Sequence, residues 1–172
     1  DAVNFTHALF HYKKKTKDWY DITYWSNILN IDIAKEKEKK MNMDKISLKD
    51  GSLDILDKLK AQGKKLFLIT NAHRITLNIK LKKFDISKYF DEMICSHELG
   101  YIKEDIQFWH ILRLKLKLDY KYSVLVEDTF DNINSAHHAG LNNFVYISSN
   151  KKFTSPLSPL IVKSFSELSS SI

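Results

Sequence analysis

The chain has 172 residues, 44% hydrophobic and 28% charged, a length and mix that suit one domain with a real core and exclude a disordered segment. Its +6 charge rests on 27 basic residues of which only Arg74 and Arg113 are arginines, with lysines scattered along nearly every segment, so no nucleic-acid partner is expected: such sites favour arginine's planar fork. Apolar runs fall far short of the roughly 18 residues of a spanning helix, no secretory pattern opens the chain, and the lone Cys95 excludes a disulfide framework and a cysteine-rich zinc site; a cytoplasmic protein with no membrane partner is the expectation.

Asp1 stands where a gene product would begin with methionine, so the chain reads as a piece of something longer. The first fifty residues read as helical, with Trp19, Ile22, Trp25, Ile28 and Leu29 recurring near helical spacing. Residues 34–40 alternate lysine and glutamate, which marks a solvated helix face or a connector. Leu53, Leu56 and Leu59 form a second apolar stripe, entered at Asp50-Gly51-Ser52 and stopped by Gly63.

Beyond Gly63 the texture changes. Continuous apolar runs at 66–69, 93–95, 123–126 and 144–147 read as strands covered on both faces. Helical segments at about 75–83, 105–118 and 132–139 lie between them, the last closed by Gly140. The tail carries Pro156 and Pro159, an apolar run at 160–162 and a closing helix from Ser164. Strands alternating with helices specify an α/β fold with a doubly wound parallel sheet, whose ligands bind at the carboxyl ends of the strands.

Those ends carry chemistry. The first strand runs into Thr70-Asn71-Ala72-His73, where a hydroxyl, an amide and free backbone N–H groups at a helix start suit a phosphate, although Thr and Asn are also common turn and capping residues. The second leads to Lys103, just ahead of a long helix; a cation there is electrostatically disfavoured and calls for an anionic partner. The third ends in Glu127-Asp128-Thr129, followed by Asp131. Adjacent carboxylates repel and suggest a hard cation such as Mg²⁺, the plainer reading being an acidic loop with a helix cap.

In this order the residues resemble the haloacid-dehalogenase-like (HAD) hydrolases. Residues 66–71 resemble the second family motif, Gly100-Tyr101-Ile102-Lys103 the third, and Val126-Glu127-Asp128-Thr129 the fourth. The run from Ala136 through His137, His138, Ala139 and Gly140 to Leu141 is similar to the helix ending that follows it. Asp18-Trp19-Tyr20, Tyr24-Trp25-Ser26, Thr70-Asn71-Ala72-His73, Lys103-Glu104-Asp105 and Trp109-His110 narrow the likeness to the bacterial GMP/IMP 5′-nucleotidase branch; the wider family often has Lys-Pro at Lys103-Glu104.

The resemblance implies a Rossmann-like HAD sheet, with a residual helical cap at 1–49, the α/β core at 50–150 and a strand/helix tail at 151–172. It implies a Mg²⁺-dependent phosphomonoesterase acting on a purine nucleoside monophosphate through an aspartyl-phosphate. By position Thr70 would hold a phosphoryl oxygen and Lys103 would offset charge on nucleophile and phosphate. Asn71 and His73 would meet the substrate, and Asp128 with Glu127 would ligate Mg²⁺.

The family's first motif, Asp-x-Asp, has no counterpart here. No two aspartates lie two apart; Asp18 and Asp21, Asp54 and Asp57, and Asp128 and Asp131 are each three apart. The central first strand, its nucleophile and its acid/base are therefore expected to be missing, leaving unpaired edges in mid-sheet and a chain inactive as it stands. Another HAD phosphatase, of sugar-phosphate or phosphoglycolate type, and a degenerate non-catalytic remnant are the alternatives. Helical spacing puts Trp19, Ile22 and Trp25 on one packing face, so Tyr20 or Tyr24 is the aromatic expected to reach a substrate. Cys95 reads as inert core, Trp109 and His110 as packing and surface, and His137 and His138 as pointing apart on their helix.

Overall fold

The N-terminal stretch is cut into short helices because polar caps interrupt it. In the computed structural model, which describes residues 2–149, 157 and 159–172, these are α1 (Ala2–Lys13), α2 (Lys17–Tyr20), α3 (Ile22–Leu29), α4 (Ile33–Glu38) and α5 (Lys40–Met43). Asp1 and Pro156 lie outside the described residues. Side chains of Thr16, Asp21 and Asp32 accept from the backbone N–H groups of Trp19, Thr23 and Lys35, each satisfying an orphan donor of a new first turn. The break at Asp21 splits the tryptophan stripe. Ile22 and Trp25 are buried, Trp19 packs at a tilt against Phe10 with centroids 3.7 Å apart, and Ile28 is left 46% exposed.

Alternation then sets in: α6 (Ser52–Ala61), β1 (Phe67–Thr70), α7 (Arg74–Lys83), β2 (Glu92–Cys95), α8 (Ile106–Leu116), β3 (Leu125–Glu127), α9 (Phe130–His138), β4 (Phe144–Ile147), β5 (Leu160–Val162) and α10 (Phe165–Ser170). A 3-10 turn at Ser96–Leu99 follows β2. The leucine stripe of α6 is displaced from its expected role: Ile55 is the buried residue, Leu53 is exposed, and Leu56 and Leu59 are partly buried against Val145, Val162 and Leu168. Gly51 is needed at the mouth of α6. Its φ is +76°, and a Cβ there would lie 2.2 Å from the Ser166 backbone nitrogen of α10.

Among the described residues every strand pairing is parallel, as expected of a doubly wound sheet, and the sheet is in two pieces. β1 pairs with β2, Phe67 opposite Glu92 and Thr70 opposite Cys95; β3 pairs with β4, and β4 with β5. Among the described residues β1 and β3 each have one paired edge. The expected covering of these strands on both faces is therefore corrected: all of β1 is half-buried, and Val126 in β3 is 38% exposed. A side chain in a sheet is covered partly by its neighbours on the adjoining strand, and on one side these have none. The main core lies elsewhere, where Ile94, Phe108, Trp109, Ile133 and Phe144 gather between α8, α9 and the sheets. No helix among the described residues is long and apolar enough to cross a membrane.

Candidate active site

The carboxyl ends of β1 and β3 are joined through Lys103. Its Nζ donates to Glu127 Oε2 at 2.5 Å, and both residues are buried. This is the anion that a lysine ahead of a helix calls for. The backbone around Lys103 is fixed on both sides: its N–H donates to Asn71 Oδ1 at 2.8 Å, and its carbonyl accepts from Trp109 Nε1 at 2.7 Å. Trp109 is 1% exposed, and its own carbonyl accepts the Tyr120 hydroxyl. The tryptophan is thus core and site support together, a role that its reading as packing had missed.

Glu127 is held on every side. Oε1 accepts from the backbone N–H groups of Asp128 and Thr129 at 3.2 and 3.1 Å and from Asn132 Nδ2 at 3.2 Å. A buried carboxylate is tolerated only when paired and hydrogen-bonded in this way. The repulsion expected between Glu127 and Asp128 is relieved by Lys103 and by the α9 entrance. Asp128 is the open carboxylate, exposed, with a 3.5 Å contact from the Thr129 hydroxyl to Oδ1. Asp131 is engaged from above by Lys15, which precedes α2.

Thr70 Oγ1 accepts from the Ala72 N–H at 3.0 Å, which leaves its own proton to donate. Asn71 is buried and used at both ends, since its Nδ2 donates to Glu104 Oε2 at 2.7 Å. His73 sits at the start of α7, its Nδ1 accepting from the Ile75 N–H at 3.3 Å, and its ring stacks on His97 with centroids 4.1 Å apart. His73 Nε2 is 4.0 Å from Asp21 Oδ1. Burial and the neighbouring His73 hold the His97 pKa below its ordinary value. Burial also pushes the Cys95 thiol up to about 11, as fits an inert core residue.

The structure therefore joins Asn71 and Glu127 through Lys103, which bonds the first by its backbone N–H and the second by Nζ, with Thr70 and Asp128 each next in sequence to a member of that network. His73 faces the helical segment instead, across a cavity of about 10 Å³ that has room for a single water. Three participants were not singled out for the site from sequence: Glu104, Asn132 and Lys15. Glu104 was visible only as part of the Lys103-Glu104-Asp105 likeness, with no role of its own, and Asn132 and Lys15 had no local pattern to mark them. Arg74 takes no part. Its guanidinium grips Glu98 at 2.7 and 2.8 Å and the Met93 carbonyl at 2.7 Å.

Which residues could hold a divalent cation follows from this inventory. Asp128 is available, Glu127 is saturated and Asp131 is ion-paired. One carboxylate completed by waters and phosphate oxygens is within the habit of Mg²⁺, so the donor set fits part of such a site.

Comparison with known proteins places this geometry. The family model described as haloacid dehalogenase-like hydrolase matches residues 7–146. The GMP/IMP nucleotidase YrfG of Escherichia coli (strain K12) is 28% identical over 141 residues, which cover 82% of this chain and 63% of the relative. This chain thus spans less than two thirds of that protein's length. Among solved structures, the HAD phosphatase from Thermococcus onnurineus superimposes with a TM-score of 0.79 at 19% identity, over 94% of this chain and 74% of that one. The HAD-hydrolase YfnB from Bacillus subtilis bound to magnesium gives 0.68 at 19% identity, over 92% and 74%. At such identities the structural matches establish the fold.

Proposed function

Because the chain belongs to the haloacid dehalogenase-like hydrolases, we propose that its strand-end site is the phosphate- and metal-handling half of a phosphomonoester hydrolase of the purine 5′-nucleotidase type, with GMP or IMP as substrate. The observation that carries this reading is the buried Lys103–Glu127 pair, clamped between the ends of β1 and β3 beside the open Asp128. Phosphoryl transfer needs fixed positive charge and positioned donors more than covalent chemistry, and this pair supplies an immobile ammonium at the strand ends. The nucleotidase likeness of the curated relative supports the substrate class.

In this reading Thr70 donates its hydroxyl proton to a phosphoryl oxygen, and Lys103 offsets the charge that gathers there. Asn71 sets the Lys103 backbone and reaches the substrate only through it. His73 lies on the side that the helical segment (residues 1–49, the cap) covers. Asp128 holds Mg²⁺, and Glu127 orients the loop that presents it; the cation, when bound, supplies further positive charge to the phosphate oxygens. The partner is a small phosphomonoester in the cytoplasm, not a nucleic acid or a membrane.

The attacking carboxylate is not among these residues. Among the described residues β1 and β3 each keep an open edge, which supports a strand between them as its source, and in this reading the chain by itself is inactive. The test is to supply an apolar strand ending in Asp-x-Asp ahead of Asp1 and to assay phosphate release from GMP, IMP, sugar phosphates and phosphoglycolate with Mg²⁺. Release from the purine nucleotides first is the expected result. Preference for a sugar phosphate or phosphoglycolate would move the protein to another HAD phosphatase type. No release from any substrate, by a variant that folds, would favour the non-catalytic remnant that the same open edges also fit.

A further inference from the structure

One hydrogen-bonded line runs from the helical segment into the centre of the site. The Tyr20 hydroxyl, at the end of α2, donates to Glu104 Oε1 at 2.5 Å; Glu104 Oε2 accepts from Asn71 Nδ2 at 2.7 Å; Asn71 Oδ1 accepts the Lys103 N–H at 2.8 Å; and Lys103 Nζ reaches Glu127. We propose that Tyr20 and Glu104 form a latch that ties the position of the helical segment to that of Lys103, so that covering of the strand ends and alignment of the lysine are one event. The latch rests on the functional reading above and names positioning residues for it, since neither side chain needs to touch a substrate.

Three features favour this over incidental packing. The bond is charge-assisted and half-buried, the kind that is strong and directional. Of the other polar contacts between the helical segment and the core, Lys15 with Asp131 and Glu38 with Lys82 are exposed ion pairs, His73 to Asp21 spans 4.0 Å, and the Lys83 ammonium of α7 donates to the Met43 carbonyl without touching the Lys103 network. Glu104 also has no slack, because each oxygen serves a different partner, one in the helical segment and one in the core. Burial and the Glu104 charge raise the Tyr20 pKa far above its ordinary value, so the phenol remains a donor at any physiological pH. Placing the carboxylate directly after Lys103 makes this possible, which gives Lys103-Glu104-Asp105 a physical role that a proline after the lysine could not fill.

Amide hydrogen exchange on the purified 172-residue chain tests the latch without turnover. In Tyr20→Phe the amides of residues 17–29 and the Lys103 amide should exchange together, about tenfold faster, while α6 is unmoved. Glu104→Gln keeps the shape and removes the charge; it should do the same, and the double variant should be no worse than either single one. Tyr12→Phe, on a ring 80% exposed, is the control that changes nothing. Faster exchange confined to 17–29, additive effects in the double variant, or no change at all would each overturn the latch. A separate arm adds inorganic phosphate to the unaltered chain and follows protection at residues 70–73. Its failure would count against the phosphate site and leave the exchange coupling standing, so the two fail separately.

Discussion

Lys103 neutralises a buried glutamate, and in the proposed site the same ammonium also meets the substrate phosphate. Breaking a buried pair from one side leaves an uncompensated charge, so Lys103→Met should lower unfolding stability by about 3 kcal/mol, softened by the other donors on Glu127. Denaturant titration measures it, and a loss below about 1 kcal/mol would show Glu127 to be solvated after all. In an enzyme completed by the first strand the same change should also cut turnover strongly. His97 makes a pH-dependent prediction. Its folded pKa is depressed, so the unfolded chain takes up that proton first as the pH falls below the ordinary 6.5. The neutral ring's contribution is thus complete above that value and drains away below it. His97→Gln should flatten the stability profile just below pH 6.5. It should leave the loss below pH 4.5 that belongs to Glu98, whose carboxyl Arg74 holds down. At this scale the sequence was informative where the cause is local. A lysine ahead of a helix demanded an anion, and Glu127 is there. Glu104 was opaque because its partner Tyr20 stands 84 positions away.

The strands tell a similar story one level up. Apolar runs marked β1 to β5 to within a residue or two, because a run of that length bounded by turn residues has few other stable fates. Which edges are paired was not written in the runs themselves. It was legible only in the absence of Asp-x-Asp, and the half-open β1 and β3 fit that absence. Their exposure predicts an asymmetry between two apolar strand residues. Val126→Thr, 38% exposed on the open strand, should shift stability by less than about 0.5 kcal/mol. Ile94→Ala, 2% exposed in β2, should cost about 2–5 kcal/mol. Similar losses at both positions in chemical denaturation would mean that β3 is covered. The α6–α10 contact is as exacting as the core. Gly51→Ala meets both a left-handed backbone and the Ser166 main chain, and should destabilise by at least about 1 kcal/mol in the same assay. The stripe of Leu53, Leu56 and Leu59 was a partial guide here: Leu56 and Leu59 pack on the cluster of Ile55 with β4, β5 and α10, while Leu53 is exposed, and periodicity alone does not say which face a neighbour covers.

On the scale of the molecule, a divided parallel sheet is bridged at its carboxyl end by polar side chains, and a helical segment is tied to that bridge. If the proposed function holds, completing the sheet should convert this pocket into a hydrolase, since that reading takes positioning, fixed charge and an open carboxylate to be already in place. The most direct measurement incubates the purified 172-residue chain with GMP or IMP and Mg²⁺ and follows inorganic phosphate. No release above that of its Lys103→Met variant is expected. Mg²⁺-dependent release that this variant lacks would contradict the half-site, because the attacking group would then have to lie among the residues described above.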